Sequence, residues 1–163
     1  MVRCESHWYD SIGINLSEPE LTLVLPEKEY AQALIHSVSG DVDVGRLHID
    51  ALAIDTTSGE IGLENLTLGS LNVETVSGDV DVLDSVALGD VSIRTTSGEI
   101  ELDNADGANF EITTVSGDVE GTLRSGKTFD VRTVSGEVKI PQSASGGAFK
   151  ANTTSGDVEI KVK

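Results

Sequence analysis

The chain is poor in the residues that usually announce a chemistry. It has a single cysteine, Cys4, so an internal disulfide is excluded, and so is a cysteine-built zinc cluster. Aromatics make up 4% of its 163 residues, too few to fill a rounded interior; a core of Val, Ile and Leu suits flat sheets instead. Prolines number 3 against 17 glycines, so the turns rest on glycine. Basic residues number 11 against 28 acidic ones, a net charge of −17. That balance excludes nucleic acid, which demands a basic footprint, and disfavours docking on anionic lipid. It leaves room for a cation or a basic protein or peptide. No apolar run reaches membrane length, and no apolar signal segment precedes Cys4, although "MVRC" has the look of a lipoprotein cysteine. The expectation is a soluble chain, with any export or membrane segment lying upstream of Met1.

What the sequence has in abundance is one phrase. "SVSGDVDV" begins at Ser37, "TTSGEIGL" at Thr56 and "TVSGDVDV" at Thr75. "TTSGEIEL" begins at Thr95, "TVSGDVEG" at Thr114, "TVSGEVKI" at Thr133 and "TTSGDVEI" at Thr153. The motif glycines Gly40, Gly59, Gly78, Gly98, Gly117, Gly136 and Gly156 are therefore 19, 19, 20, 19, 19 and 20 residues apart. A fixed period of this size marks stacked repeats. Within each unit the hydrophobic period is two: Leu71, Val73 and Thr75 alternate with Asn72, Glu74 and Val76, and Val80 and Val82 with Asp79 and Asp81. That is the pattern of strands with one buried face. Each unit reads as strand, sharp Ser-Gly corner, strand. A second corner recurs near Gly69, Gly89, Gly107, Gly126 and Gly147, with a short third strand before it at Leu66-Thr67-Leu68 and Val86-Ala87-Leu88.

One unit cannot bury its own apolar face, whereas stacked units can. The predicted fold is all-β: a single-stranded β-solenoid (β-helix) of about seven 19–20-residue coils, roughly 34 Å long at ~4.8 Å per coil. Each strand is expected to pair with its equivalent in the next coil. A propeller, at about 40 residues and four strands per blade, is the distant alternative. Residues 1–30 lack the motif; the alternating Ile12, Ile14 and Leu16, and Leu21, Leu23 and Leu25 between Pro19 and Pro26, read as cover strands. Residues 31–163 form the repeats, and the two segments make one structural domain. At the other end Lys161 and Lys163 are expected to discourage edge pairing.

Seven copies of S/T-x-S-G-D/E-V/I, with "LPEKEY" shortly before the first, resemble a bacterial adhesin-like family, domain of unknown function 4097, over roughly residues 10–163. The resemblance implies a right-handed β-helix on the outer side of the bacterial cell envelope, often behind a membrane segment or signal. It also implies relatives active in envelope-stress responses. It brings no catalytic residues with it.

The sharpest functional candidate is an acidic face. Behind the seven glycines stand Asp41, Glu60, Asp79, Glu99, Asp118, Glu137 and Asp157, alternating aspartate with glutamate. Two positions further on, Asp43, Asp81, Glu101, Glu120 and Glu159 form a second outward column, interrupted by Gly62 and Lys139. Carboxylates spaced ~5 Å apart repel, so a basic partner or calcium would relieve them. The competing reading has each acid accepting backbone N–H bonds at its corner. The calcium-binding solenoid nonapeptide is absent. "GTLRSGKT", Gly121 to Thr128, matches the phosphate-binding loop pattern, but Phe129, Val131 and Thr133 continue it as a strand where that loop needs a helix. The column Ser37, Thr56, Thr75, Thr95, Thr114, Thr133 and Thr153 points inward by parity and reads as a hydroxyl ladder satisfied by nearby backbone. The column Val38, Val76, Val115 and Val134 points outward, a mildly apolar strip best read as ordinary strand composition. His7, His36 and His48 share no ligand spacing. The serines are corner residues, repeated in every unit as a folding residue must be and a nucleophile is not. The function expected is non-enzymatic: an envelope module for surface binding of a protein, peptide or glycan, or for stress sensing. A passive structural spacer, or a calcium-binding acidic solenoid face, is the alternative.

Overall fold

The computed structural model describes residues 11–16, 29–142 and 145–163. The described residues form sixteen strands and no helix. In chain order these are β1 (Ser11–Leu16), β2 (Glu29–Ser37), β3 (Val42–Gly45), β4 (His48–Ser58), β5 (Ile61–Glu64) and β6 (Thr67–Ser77). Next come β7 (Val80–Leu83), β8 (Val86–Ala87), β9 (Asp90–Arg94), β10 (Ile100–Ala105) and β11 (Asn109–Thr113). The series ends with β12 (Val119–Leu123), β13 (Thr128–Ser135), β14 (Val138–Lys139), β15 (Ala148–Ser155) and β16 (Val158–Val162). Two parallel sheets result. The first runs β1-β2-β4-β6-β9-β11-β15-β13, with β8 beside β6, and the second β14-β16-β12-β10-β7-β5-β3. The chain is the expected β-solenoid of about seven turns.

The core lies between the sheets and follows the predicted parity. Ile54, Val73, Ile93 and Ile112 of the first sheet are buried against Ile61, Leu63, Val80, Ile100 and Val119 of the second. The Ser-Gly corner joins the two. There each glycine lies directly over its neighbour: a Cβ on Gly117 would collide with the carbonyl of Gly98. Only a residue without a Cβ permits that backbone spacing.

The return path differs from the expected single second corner. A left-handed turn comes first, at Arg46, Asn65, Asp84 and Asn104 (φ 60°, 55°, 49° and 55°). Short polar side chains tolerate this conformation best. Below it Ser85 is buried; its Oγ donates to the Leu83 carbonyl at 2.9 Å and accepts from the Leu66 N–H at 3.1 Å. The Gly69 position is a bend inside one long strand, so Thr67 and Leu68 belong to β6 rather than to a separate strand. Val86–Ala87 does stand apart as β8.

The larger correction concerns coil order. β11 pairs with β15, not β13, and β12 with β16, not β14. The seventh coil, β15 and β16, is inserted between the fifth and the sixth. β13 and β14 are thereby the sheet edges, while Lys161 belongs to an interior strand. Pro141 supplies a physical reason. It stands one residue beyond β14, after Ile140, and proline is confined to edge strands because it cannot donate to a ladder. The seventh coil has no such break and runs through Val158–Val162. Phe110, Phe149 and Phe129 stack through the exchange, with centroids 5.4 and 5.3 Å apart.

At the other end β1 covers the first sheet, pairing Ser11–Leu16 in parallel with Gln32–Ser37. The expected strand at Leu21–Leu25 lies outside the described residues, as do Cys4 and His7.

The inward threonine column is only partly satisfied. Ser37, Thr56 and Thr133 donate to the carbonyls of Ser39, Ser58 and Gly156 at 3.0–3.2 Å. Thr75, Thr95, Thr114 and Thr153 are buried with no hydrogen-bond partner for Oγ1 among the described residues. Threonine is there for its β-branched shape, and its hydroxyl is a liability. Thr75→Val and Thr114→Val, which keep the shape and remove an orphaned group, should each raise stability by about 1 kcal/mol in chemical denaturation. A loss of stability in both would show that the hydroxyls are satisfied in solution.

Candidate functional site

The acidic columns form on the second sheet and on the corner that leads into it. Stacked as the coils lie, the first column reads Asp41, Glu60, Asp79, Glu99, Asp118, Asp157, Glu137. Its aspartates are structural. The Asp41, Asp79, Asp118 and Asp157 carboxylates accept the backbone N–H of Glu60, Glu99, Asp157 and Glu137 at 3.0, 2.8, 2.8 and 2.7 Å. Each aspartate reaches one coil along the stack to a donor that the tight corner takes out of the regular ladder. In the first four coils this gives the Asp/Glu alternation a physical cause: the short side chain fits the amide of the next coil, and the residue whose amide is capped can be the longer acid; beyond them Asp118 caps Asp157, which is itself short and caps Glu137.

The second column is a true register ladder: Asp43, Gly62, Asp81, Glu101, Glu120, Glu159, Lys139. Insertion of the seventh coil moves Lys139 to the edge and sets Glu159 beside Glu120. Asp81, Glu101, Glu120 and Glu159 thus run unbroken across four coils. Beside them lies the ladder Asp103, Thr122 and Lys161. Between the two is a shallow depression of about 120 Å³ around Gly121. Lys161 and Lys139 close one end: Lys161 Nζ lies 2.7 Å from Glu159, and Lys139 Nζ lies 3.1 Å from Glu137 and 3.9 Å from Glu159.

Electrostatics separate the two ends of this face. Asp81 first of all, then partial loss of water and the charges of Asp41 and Asp43, hold the Glu60 carboxyl above its usual range. Partial burial raises Asp81, with Glu101 adding to it. Glu99 is raised by partial burial and by Glu120, Asp118, Asp79 and Glu101. At the lysine end the hydrogen bond from Lys161 lowers Glu159. No three acidic or histidine side chains among the described residues converge tightly enough to hold a metal ion. The face is a spread array rather than a chelating cluster.

The outer face of the first sheet is different in kind. Its charges are mixed and paired: Arg94 with Glu74 at 3.5 Å, Arg132 with Asp130 at 3.2 Å and His36 Nδ1 with Asp55 at 3.4 Å. The exposed valines Val38, Val76, Val115 and Val134 are separated in the stack by Thr57, Thr96 and Thr154. They make no continuous apolar strip.

The phosphate-loop match is structural. β12 runs into β13 with no helix between. Lys127 is buried, 2.7 Å from Asp106 Oδ1 and 2.7 Å from Ser125 Oγ, with its ammonium 6.0 Å from the centre of the Phe110 ring. Burial works against the charge on Asp106, but hydrogen bonds from Lys127, Ser125 and the Gly107 N–H outweigh it and hold the carboxyl low. This clamp ties the linker that steps over the inserted coil to the corner two layers below. Sequence reading missed it, since nothing in the spacing of Asp106 and Lys127 shows that the linker must cross a layer.

The fold and this surface define a class: a single-chain parallel β-solenoid with a shallow charged face. The chain belongs to the Toastrack family, DUF4097, a domain of unknown function whose family model matches residues 2–163. No curated protein and no solved structure matches it.

The shifted acids set a pH profile. Glu60, Asp81 and Glu99 bind protons more tightly folded than unfolded, so the cost of burying and crowding their charges destabilises the fold at neutral pH and fades as pH falls through their raised values. Asp106 and Glu159 act oppositely, losing their contribution below the usual carboxylate range. The melting temperature should therefore peak on the acid side of neutrality, and Asp81→Asn should raise it at pH 7 by about 2 °C. A melting temperature that falls steadily from neutral pH downward would contradict this. Lys127→Met, which leaves Asp106 unpaired, should cost about 2–4 kcal/mol in denaturant titration.

Proposed function

We propose that the chain is a non-enzymatic binding module of the bacterial cell envelope, presenting the outer face of its second sheet to a cationic protein or peptide. The observation that carries this is the unbroken run Asp81, Glu101, Glu120 and Glu159, flanking a depression wide enough for a side chain. Parallel coils hold the carboxylates at the spacing between neighbouring strands, about 4.8 Å. A partner with basic side chains lying along the stack would meet one acid per coil and relieve the repulsion that adds to burial in raising Asp81 and Glu99. The same contact would serve adhesion or envelope-stress sensing. Repetition of the corner serine in every unit supports a binding role over catalysis. The envelope location rests on the family resemblance alone. No helix among the described residues is long and apolar enough to cross a membrane.

A spacer without a ligand is the second reading, favoured by the four aspartates already engaged with backbone amides. Calcium is weaker, because the carboxylates do not converge.

The test compares two triple variants against an extended peptide of alternating arginine and serine, by calorimetry at physiological salt. Asp81→Asn/Glu101→Gln/Glu120→Gln should weaken binding at least about tenfold, whereas Asp55→Asn/Glu74→Gln/Glu111→Gln, equal in charge but on the first sheet, should change it less than about twofold. Equal losses would reduce the effect to net charge and leave the spacer reading.

A further inference from the structure

We infer that the chain forms a two-fold dimer by antiparallel pairing of β13 with β13 of a second copy. The inference is independent of the acidic face. Among the described residues β13 has a strand partner on one side only, β15. Its inward residues Phe129, Val131 and Thr133 are half-buried, while their register partners Phe149, Ala151 and Thr153 are 0%, 1% and 7% exposed. The edge coil lacks the layer that every interior coil has. Val134 at 80% exposure, Val138 at 37% and Ile140 at 36% add apolar surface to the same end.

The backbone is oriented for that pairing. Thr128 donates its N–H to Gly147, on the β15 side, at 2.8 Å. Alternation along the strand turns the N–H and C=O of Phe129, Val131 and Thr133 to the open side. A two-fold axis at Val131 would set Val131 against its own copy as a hydrogen-bonded pair, and Phe129 against Thr133. It would also place Asp130 of each chain opposite Arg132 of the other. Asp130-Val131-Arg132 is thus self-complementary in the antiparallel sense, and these two side chains already lie within 3.2 Å of each other in one chain.

Charge selects the same end. Besides Lys127, whose charge is buried against Asp106, the linker and strands of this coil carry Arg124, Arg132 and Lys139 against Asp130 and Glu137, in a chain of net charge −17. Pairing through it keeps the acidic coils of the two copies apart. The opposite edge of the second sheet, β3, is flanked by Asp41 and Asp43. A closed two-fold contact consumes the β13 edge, whereas head-to-tail stacking would leave a growing end.

The test is sedimentation velocity of the full chain from micromolar to submillimolar concentration. The expected result is a reversible monomer–dimer equilibrium without larger species. Arg132→Asp sets acid opposite acid twice in the dimer and should raise the dissociation constant at least about tenfold, with the circular-dichroism melt of the monomer retained. The exchange Asp130→Arg/Arg132→Asp restores complementarity and should restore the dimer. A monomer at every concentration overturns the inference. So does a ladder of larger species, which would mean head-to-tail stacking, and so does a dimer indifferent to Arg132→Asp.

Discussion

The structure depends on one close approach, the stacking of backbone on backbone at the Ser-Gly corner. Add a methyl group to almost any glycine in that column and it enters the carbonyl of the coil beside it. The contact fixes the coil-to-coil distance, and the distance fixes the ladders. Once the corner is set, strand residues on both sides fall into register over many layers. The buried aliphatic columns, the aspartates that reach the next amide and the acids that crowd the outer face are consequences. The repeat is conserved within the chain because each corner is the template for its neighbour.

The same constraint explains why the face is both acidic and strained. Equivalent positions cannot move apart, so like charges at one position are held near the strand spacing. The protein answers in two ways. Aspartates spend their charge on amides that the corner leaves without a ladder partner. Lysines sit at the far end of the run, where Lys161 and Lys139 lower or compensate Glu159 and Glu137. Around Glu60, Asp81 and Glu99 no such answer exists in the described structure, and that is where a cationic partner has most to offer.

Much of this was legible in the sequence, because a solenoid writes its third dimension as a period. Glycines 19 or 20 apart gave the coils, and period-two alternation gave the buried and exposed faces. The acidic columns could be named residue by residue. Coil order could not be read from the repeat, since the sixth and seventh units are both competent to stack on the fifth. Pro141 was the available signal: a proline after Val138 and Ile140 marks a coil that belongs at an edge. The left-handed turn was hidden for a different reason. Its residues, Arg46, Asn65, Asp84 and Asn104, share a backbone conformation rather than a side chain, and the eye follows glycine first. The orphaned threonine hydroxyls were assigned to backbone partners on the general rule that buried polar groups are satisfied, which four of them do not obey.

The inserted coil also bears on how the molecule is made. Five coils can assemble in the order of synthesis, each laid on the one before. The sixth emerges before its seat exists, because β13 rests on β15 and not on β11. Until residues 148–162 are available, the Phe129 strand has no native neighbour, and the fifth coil presents an open edge that the sixth fits imperfectly. The native topology is therefore completed by the seventh repeat, which seats on the fifth coil and supplies the sixth with its neighbour. A repeat protein that reads as strictly local thus carries one step of folding that must wait for the whole array.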